Sequence, residues 1–238
     1  MNNWQKIWSG RKDTLANVDA NDFRAVFAEL KKIDGFDLNG GVNVDSLIRQ
    51  HENLSDALNL TVGQTVFEVG CGAGAHLYLF TRDGYTVGGL DYSAALLNIA
   101  RKVLPAEKVS ELICAGAAEL PTAKTFDAVI SNSVFSYFDD LDYARRVLKK
   151  MLLKSRRSVA VLDVYDAAFE TQLMAERRRA IANYDELYKD LPKKFYPRSF
   201  FEDFAARHDL KISFAANELE NYVNAPFTYH CFMQKTSA

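Results

Sequence analysis

Hydrophobic positions along this chain first keep a helical rhythm and then switch to alternating strand and helix. Trp4, Ile7 and Trp8 share one helical face ahead of Gly10, and Phe23, Val26, Phe27 and Leu30 form a second apolar stripe. Gly35, Gly40 and Gly41 mark a loop, after which Val44, Leu47, Ile48, Leu54 and Leu58 predict a third helix. Beyond Gly63, residues 65–69, 85–90, 112–115, 126–131 and 158–164 predict strands that are nearly all apolar. That composition fits a sheet covered on both faces. Helical stretches at 75–82, 93–104 and 141–153 separate the strands, which implies parallel βαβ units with right-handed crossovers.

The last third departs from this pattern. Residues 166–195 are polar, helical in pattern and rich in basic side chains. Pro197 and Ser199 then open a helix with an apolar face over 200–207, and residues 211–215 and 229–234 predict an antiparallel pair. The expected architecture is α/β: a Rossmann-like doubly wound sheet of seven strands, mostly parallel with an antiparallel C-terminal strand, helices on both faces.

Composition narrows the function classes. A chain of 238 residues, 48% of them hydrophobic, can bury the core of one large domain. The net charge of -2 gives no electrostatic reason to expect a nucleic-acid partner. Cys71, Cys114 and Cys231 are scattered and odd in number, without metal-ligand spacing, so neither a metal nor a disulfide frame is expected. The start of the chain has no signal-like apolar run, and no stretch is apolar enough to cross a bilayer. A cytoplasmic protein without a membrane partner is the expectation.

The most specific motif is Val66-Phe67-Glu68-Val69-Gly70-Cys71-Gly72-Ala73-Gly74-Ala75, a glycine turn between a strand and a helix. Such a turn lets a ligand approach the backbone closely. Gly70, Gly72 and Ala75 also satisfy the dinucleotide fingerprint, with Asp91 about 20 residues on, so an NAD-dependent oxidoreductase stays open at this point. Two features favour another ligand. Glu68 places an acid inside the strand, where it suits a ligand amine or sulfonium and would repel a pyrophosphate. Asp91-Tyr92-Ser93 puts an acid at a strand tip to accept from ribose hydroxyls, with an aromatic beside it to cover a base.

Residues 66–132 resemble the class I S-adenosylmethionine-dependent methyltransferases. Their first motif matches Glu68 through Gly74 and their second Asp91. Gly116-Ala117-Ala118-Glu119-Leu120-Pro121 is similar to the loop lying against adenine, and Phe126 through Ser131 and Asn132 to the strand under the methionine part. The resemblance implies S-adenosyl-L-methionine as cofactor, held by Glu68, Gly70, Cys71, Gly72, Asp91, Tyr92, Ser93, Ala117, Ala118, Ser131 and Asn132. Ala117 stands where the family often has an acid for the adenine amine, which shifts that contact to backbone groups near Ala118 or to Glu119. Asn132-Ser133-Val134-Phe135 lacks the double proline of base-amine methyltransferases, arguing against an exocyclic base amine as acceptor.

Within one domain, the resemblance divides the chain into a helical cap (1–60), a cofactor-binding core (61–165), a lid insertion (166–197) and a closing helix and strand pair (198–238). Trp4, Trp8 and Arg11 are candidates to cover the cofactor, by ring packing, cation–π contact and carboxylate pairing, and a helix pinned by two tryptophans fits as well. Arg177, Arg178, Lys193, Lys194 and Arg198 are candidates to attract an anionic acceptor; the Arg177-Arg178-Arg179 run also fits a solvated helix face. Tyr137 is the candidate catalytic side chain, with ordinary packing as the alternative. His51 and His208 read as surface residues, and neither His76 nor His230 stands out as a base. A stretch at 32–37 and the Tyr-Phe pair after the fourth strand resemble methyltransferases of secondary-metabolite or surface-glycan pathways. The expected reaction is O-methylation of an anionic or sugar-like small molecule, with N-methylation or non-catalytic ligand binding as alternatives.

Overall fold

The computed structural model describes residues 3–36, 38 and 41–236; Asp37 and Gly40 of the expected loop lie outside the described residues. Three helices come first: α1 (Asn3–Ser9), α2 (Phe23–Ile33) and α3 (Val44–Ala57). Asp22 caps α2 by accepting from Arg24 N and Ala25 N, and Asn43 caps α3 through Ser46 N, satisfying otherwise orphaned amides.

The alternating part forms β1 (Thr65–Val69), α4 (Ala75–Arg82), β2 (Thr86–Asp91), α5 (Ala94–Val103), β3 (Val109–Cys114), β4 (Phe126–Asn132), α6 (Leu141–Lys154) and β5 (Ser155–Tyr165). Then follow α7 (Glu170–Ala180), α8 (Tyr184–Leu187), α9 (Arg198–Arg207), β6 (Leu210–Ala216) and β7 (Thr228–Lys235). The seven strands lie in the order β3-β2-β1-β4-β5-β7-β6, and β7 pairs antiparallel with both neighbours. The seven-stranded, mostly parallel sheet agrees with the expectation.

Side-chain alternation separates two cores. Phe67, Val69 and Val129 face α6 and α9, whereas Val66, Ala128 and Ile130 face α3, α4 and α5. A third cluster joins Phe27 and Leu30 of α2 to Ala75 and Leu79 of α4, holding the N-terminal helices beside the glycine turn.

Two sequence expectations need correction. The stretch 166–195 is not one helical run: Asn183 adopts φ 56 and Pro192 follows α8, so the chain ends extended, with Tyr196 bridged to Asp166. His51 is not a surface residue. It is buried against the Phe80 ring, its Nε2 2.8 Å from the Asp83 carboxylate.

Candidate active site

At the end of β1 the chain reverses through Gly70 (φ 78) and Gly72 (φ 52), conformations a side chain would strain. The turn is fixed by Gly70 N and Cys71 N, which both donate to Leu90 O at 2.7 and 3.0 Å. Asp91 completes it: Oδ2 accepts from Gly72 N at 3.0 Å and Oδ1 from Ser93 N at 2.8 Å. One carboxylate thus ties the glycine turn to the start of α5.

A cavity of about 480 Å³ opens above this turn, within the usual size of small-ligand sites. Glu68, Gly70, Cys71, Gly72, Asp91, Tyr92, Gly116 and Ala117 line one part of it. Trp4, Trp8, Asn132, Ser133, Tyr137, Asp163, Tyr165, Lys193, Tyr222 and Asn224 also line it. The cavity therefore collects residues from the cap, from the ends of β1 to β5, from the loop before β7 and from the segment before α9.

Burial sets its electrostatics. Glu68 is pushed up to about 8 by burial, opposed by the nearby Lys31 charge. Its Oε1 lies 3.3 Å from His76 Nδ1, and Oε2 is buried without a hydrogen-bond partner. Asp34, at the end of α2, accepts from Ala73 N at 2.7 Å, yet burial pushes it up to about 7. Burial holds His76 well below the ordinary histidine range, so the imidazole is neutral near pH 7. Three carboxyls, Asp34, Glu68 and Asp91, thus stand around the glycine turn, an environment that favours a cationic ligand group.

The expected cofactor residues divide into lining and supporting groups. Ser131 is buried beneath the site, its hydroxyl donating to Val69 O, and Ser93 caps α5 through Leu96 N. Ala118 N already donates to Tyr143 Oη, whereas Glu119 accepts from Gly116 N through Oε2 and keeps Oε1 for another donor. Arg11 stacks on Trp8, 5.0 Å from the ring centre. Trp4 and Trp8 both meet Tyr137 edge-on, and Trp4 Nε1 donates to Pro192 O at 2.9 Å.

The basic candidates are dispersed. Arg178 pairs with Asp185, Arg198 with Asp166, and Lys194 donates its backbone N–H to Ser136 O; none of the three lines the cavity. Arg177 reaches the Tyr165 hydroxyl from behind the wall, and Lys193 lies inside. Lys31, Asp34, His76, Asp163, Tyr165 and Tyr222 were not singled out by the sequence. Asp34 left a trace there as part of the 32–37 stretch, and His76 as a histidine that did not stand out as a base.

Residues 67–155 match the family model described as a methyltransferase domain. The core is a class I methyltransferase domain. A curated relative, ubiquinone biosynthesis O-methyltransferase of Rhodopseudomonas palustris, is 35% identical over 100 residues, covering 41% of this chain and 39% of that protein. Malonyl-acyl-carrier-protein O-methyltransferase of Priestia megaterium is 30% identical over 37% of this chain and 32% of its own length. The chain thus spans under two-fifths of the length of these relatives. Among solved structures, magnesium protoporphyrin IX methyltransferase of Synechocystis with bound S-adenosylhomocysteine superposes with a TM-score of 0.59. It shares 12% identity, with 81% of this chain and 84% of that one covered, a likeness of fold. The matched segment of the methyltransferase domain runs from β1 to the start of β5 and so contains the glycine turn, Asp91 and Tyr137. Trp4, Trp8, Tyr165 and Lys193 fall outside it.

Proposed function

We propose that this chain transfers a methyl group from S-adenosylmethionine to an oxygen of a small-molecule acceptor. One observation carries the reading: a single cavity joins the acidic glycine turn to a wall of Tyr137, Tyr165, Lys193 and Asn224. Donor and acceptor thus have room to meet out of bulk water.

The residues present fit the cofactor. Asp91 stands at the tip of β2, where ribose hydroxyls can share its oxygens with the two backbone amides, and Tyr92 lines the cavity beside it. The orphaned Glu68 Oε2 suits an ammonium group. When bound, S-adenosylmethionine supplies an activated methyl on a good leaving group. This chain then has to align reactants and exclude water, which can contribute roughly 7–11 kcal/mol. Trp4, Trp8 and Tyr137 form an aromatic cover, and residues 166–197 act as the acceptor-side lid through Lys193. Burial pushes the Tyr137 phenol well above its ordinary range, so it serves as wall or hydrogen-bond donor rather than as a base. An acceptor that enters as an oxyanion needs no base.

Thermal shift with S-adenosylhomocysteine and NAD side by side tests the reading. S-adenosylhomocysteine at about 100 times its Kd should raise the Tm by roughly 5–10 °C, with no effect of NAD. Stabilisation by NAD alone, or no turnover of labelled S-adenosylmethionine across oxyanion and sugar acceptors, would sink it.

A further inference from the structure

Two cations converge on one phenol at the cavity wall. Arg177 Nη2 donates to Tyr165 Oη at 3.0 Å, and Lys193 Nζ to the same oxygen at 3.3 Å. Neither ammonium nor guanidinium can accept, so both occupy the acceptor side of that oxygen. Among the described residues nothing accepts the phenol's own hydrogen. Tyr165 is 2% exposed, and the hydroxyl hydrogen of a buried tyrosine ordinarily finds a partner.

Among the described residues, neither cation has an ion-paired partner. Arg178 and Arg198 each face a carboxylate, at 3.0 and 3.5 Å. Among the described residues, no carboxylate lies within ion-pair distance of Arg177 or Lys193. Arg177 instead bonds to the Tyr184 hydroxyl and Asn224 Oδ1. Lys193 sits over the rings of Trp4, Tyr137 and Tyr165, at 5.5, 4.8 and 4.9 Å. Asp163 of the cavity wall favours the Lys193 ammonium through its charge, but its oxygens are taken up by Ser133 Oγ, Tyr222 Oη and Asn217 Nδ2. Burial lowers Lys193 to about 8, which leaves it mostly cationic at neutral pH. Two partly buried cations beside a pre-aimed hydroxyl, with Asp163 the one acid whose charge is felt at Lys193, are better satisfied when a ligand brings further negative charge.

We propose that Lys193, Arg177 and Tyr165 form an oxyanion seat that selects acceptors carrying a carboxylate, Lys193 and Tyr165 touching it and Arg177 positioning the phenol. This rests on the methyltransferase reading above and deepens it to an acceptor class.

The test titrates the full chain, saturated with S-adenosylhomocysteine, with benzoate and with its neutral isostere benzamide. Benzoate should bind at least about tenfold more tightly. Lys193→Met and Tyr165→Phe should each erase most of that preference, and Lys193→Arg should keep it. S-adenosylhomocysteine affinity should stay within about twofold in all three variants. Tyr165→Phe removes one oxygen from a packed ring and decides the matter alone if Lys193→Met fails to fold. Equal binding of the two probes, absence of benzoate binding, or a preference that survives both substitutions overturns the seat. An equal loss of cofactor affinity in Lys193→Met also overturns it, because the cation would then serve the cofactor's carboxylate. Failure of the wild-type chain to bind S-adenosylhomocysteine removes the methyltransferase reading, whereas cofactor uptake without a carboxylate preference removes only the seat.

Discussion

Glu68 shows how a single side chain can record what its cavity is for. The carboxyl is 4% exposed, with one oxygen unpartnered, an arrangement that raises its pKa from 4.5 to about 8 through burial. The folded state therefore holds a proton that the unfolded state has released, and folding stability falls as pH rises from about 4.5 towards 8. Asp34, raised from 3.8 to about 7, acts in the same sense over a slightly lower window. The Tm of the ligand-free protein should drop by several degrees between those limits, and Glu68→Gln should flatten much of the slope, leaving the Asp34 part. A charged ligand amine reverses the preference by favouring the carboxylate. S-adenosylhomocysteine affinity should then rise with pH over the same range, and Glu68→Gln should lower it about tenfold near neutrality. Titrations at several pH values, paired with melting curves, check both signs. A pH-independent affinity in the wild type would remove Glu68 from the ligand's surroundings.

Among the elements, α6 is fastened by an unusual device. Lys154, its last residue, is fully buried, its Nζ donating to Glu111 Oε1 at 2.7 Å and to the carbonyls of Pro121 and Lys124. The ammonium also lies over the Phe67 and Phe126 rings at 4.3 and 5.2 Å. The lysine links α6 to β3 and to the loop before β4, the frame from which Asn132 and Tyr137 project. Lys154→Ala leaves Glu111 and two carbonyls unpaired and should cost on the order of 3 kcal/mol in urea unfolding, Lys154→Met less. Equal stability of Lys154→Ala and wild type would contradict this. The sheet around α6 was legible because apolar runs of strand length alternate with amphipathic helices, and glycine chemistry marked the turn after β1. In the 166–195 stretch the helical part, α7 and α8, was legible, whereas the break at Asn183 and the non-helical end after α8 were not, because polar composition looks the same in a helix and in an extended strap. The wall proposed for the acceptor was harder still. Lys193 and Arg178 look alike as basic residues in sequence, and only packing shows that Arg178 pairs with Asp185 while Lys193 sits over three rings and, among the described residues, in no ion pair.

At the scale of the whole molecule, the cavity is shared between a rigid sheet and a lightly attached cover. The cover is α1, which has no buried residue. It rests on Tyr137 through Trp4 and Trp8, at ring separations of 4.8 and 5.6 Å, and on the Trp4 Nε1 bond to Pro192 O. Little apolar area holds it down, so α1 belongs to the least stable part of the structure and can open without unfolding the sheet. Its tryptophans nonetheless line the cavity that the glycine turn opens into, so a ligand there should recruit the helix by contact with the rings. Removing residues 1–12 should change the Tm by less than about 5 °C, since the sheet and its two cores stay intact. The same deletion should weaken S-adenosylhomocysteine at least about tenfold, chiefly by faster release. Calorimetry and stopped-flow displacement measure the two quantities separately. If the shortened chain melts far lower yet holds the ligand as tightly as before, α1 is a packing element and the cavity is closed by other means.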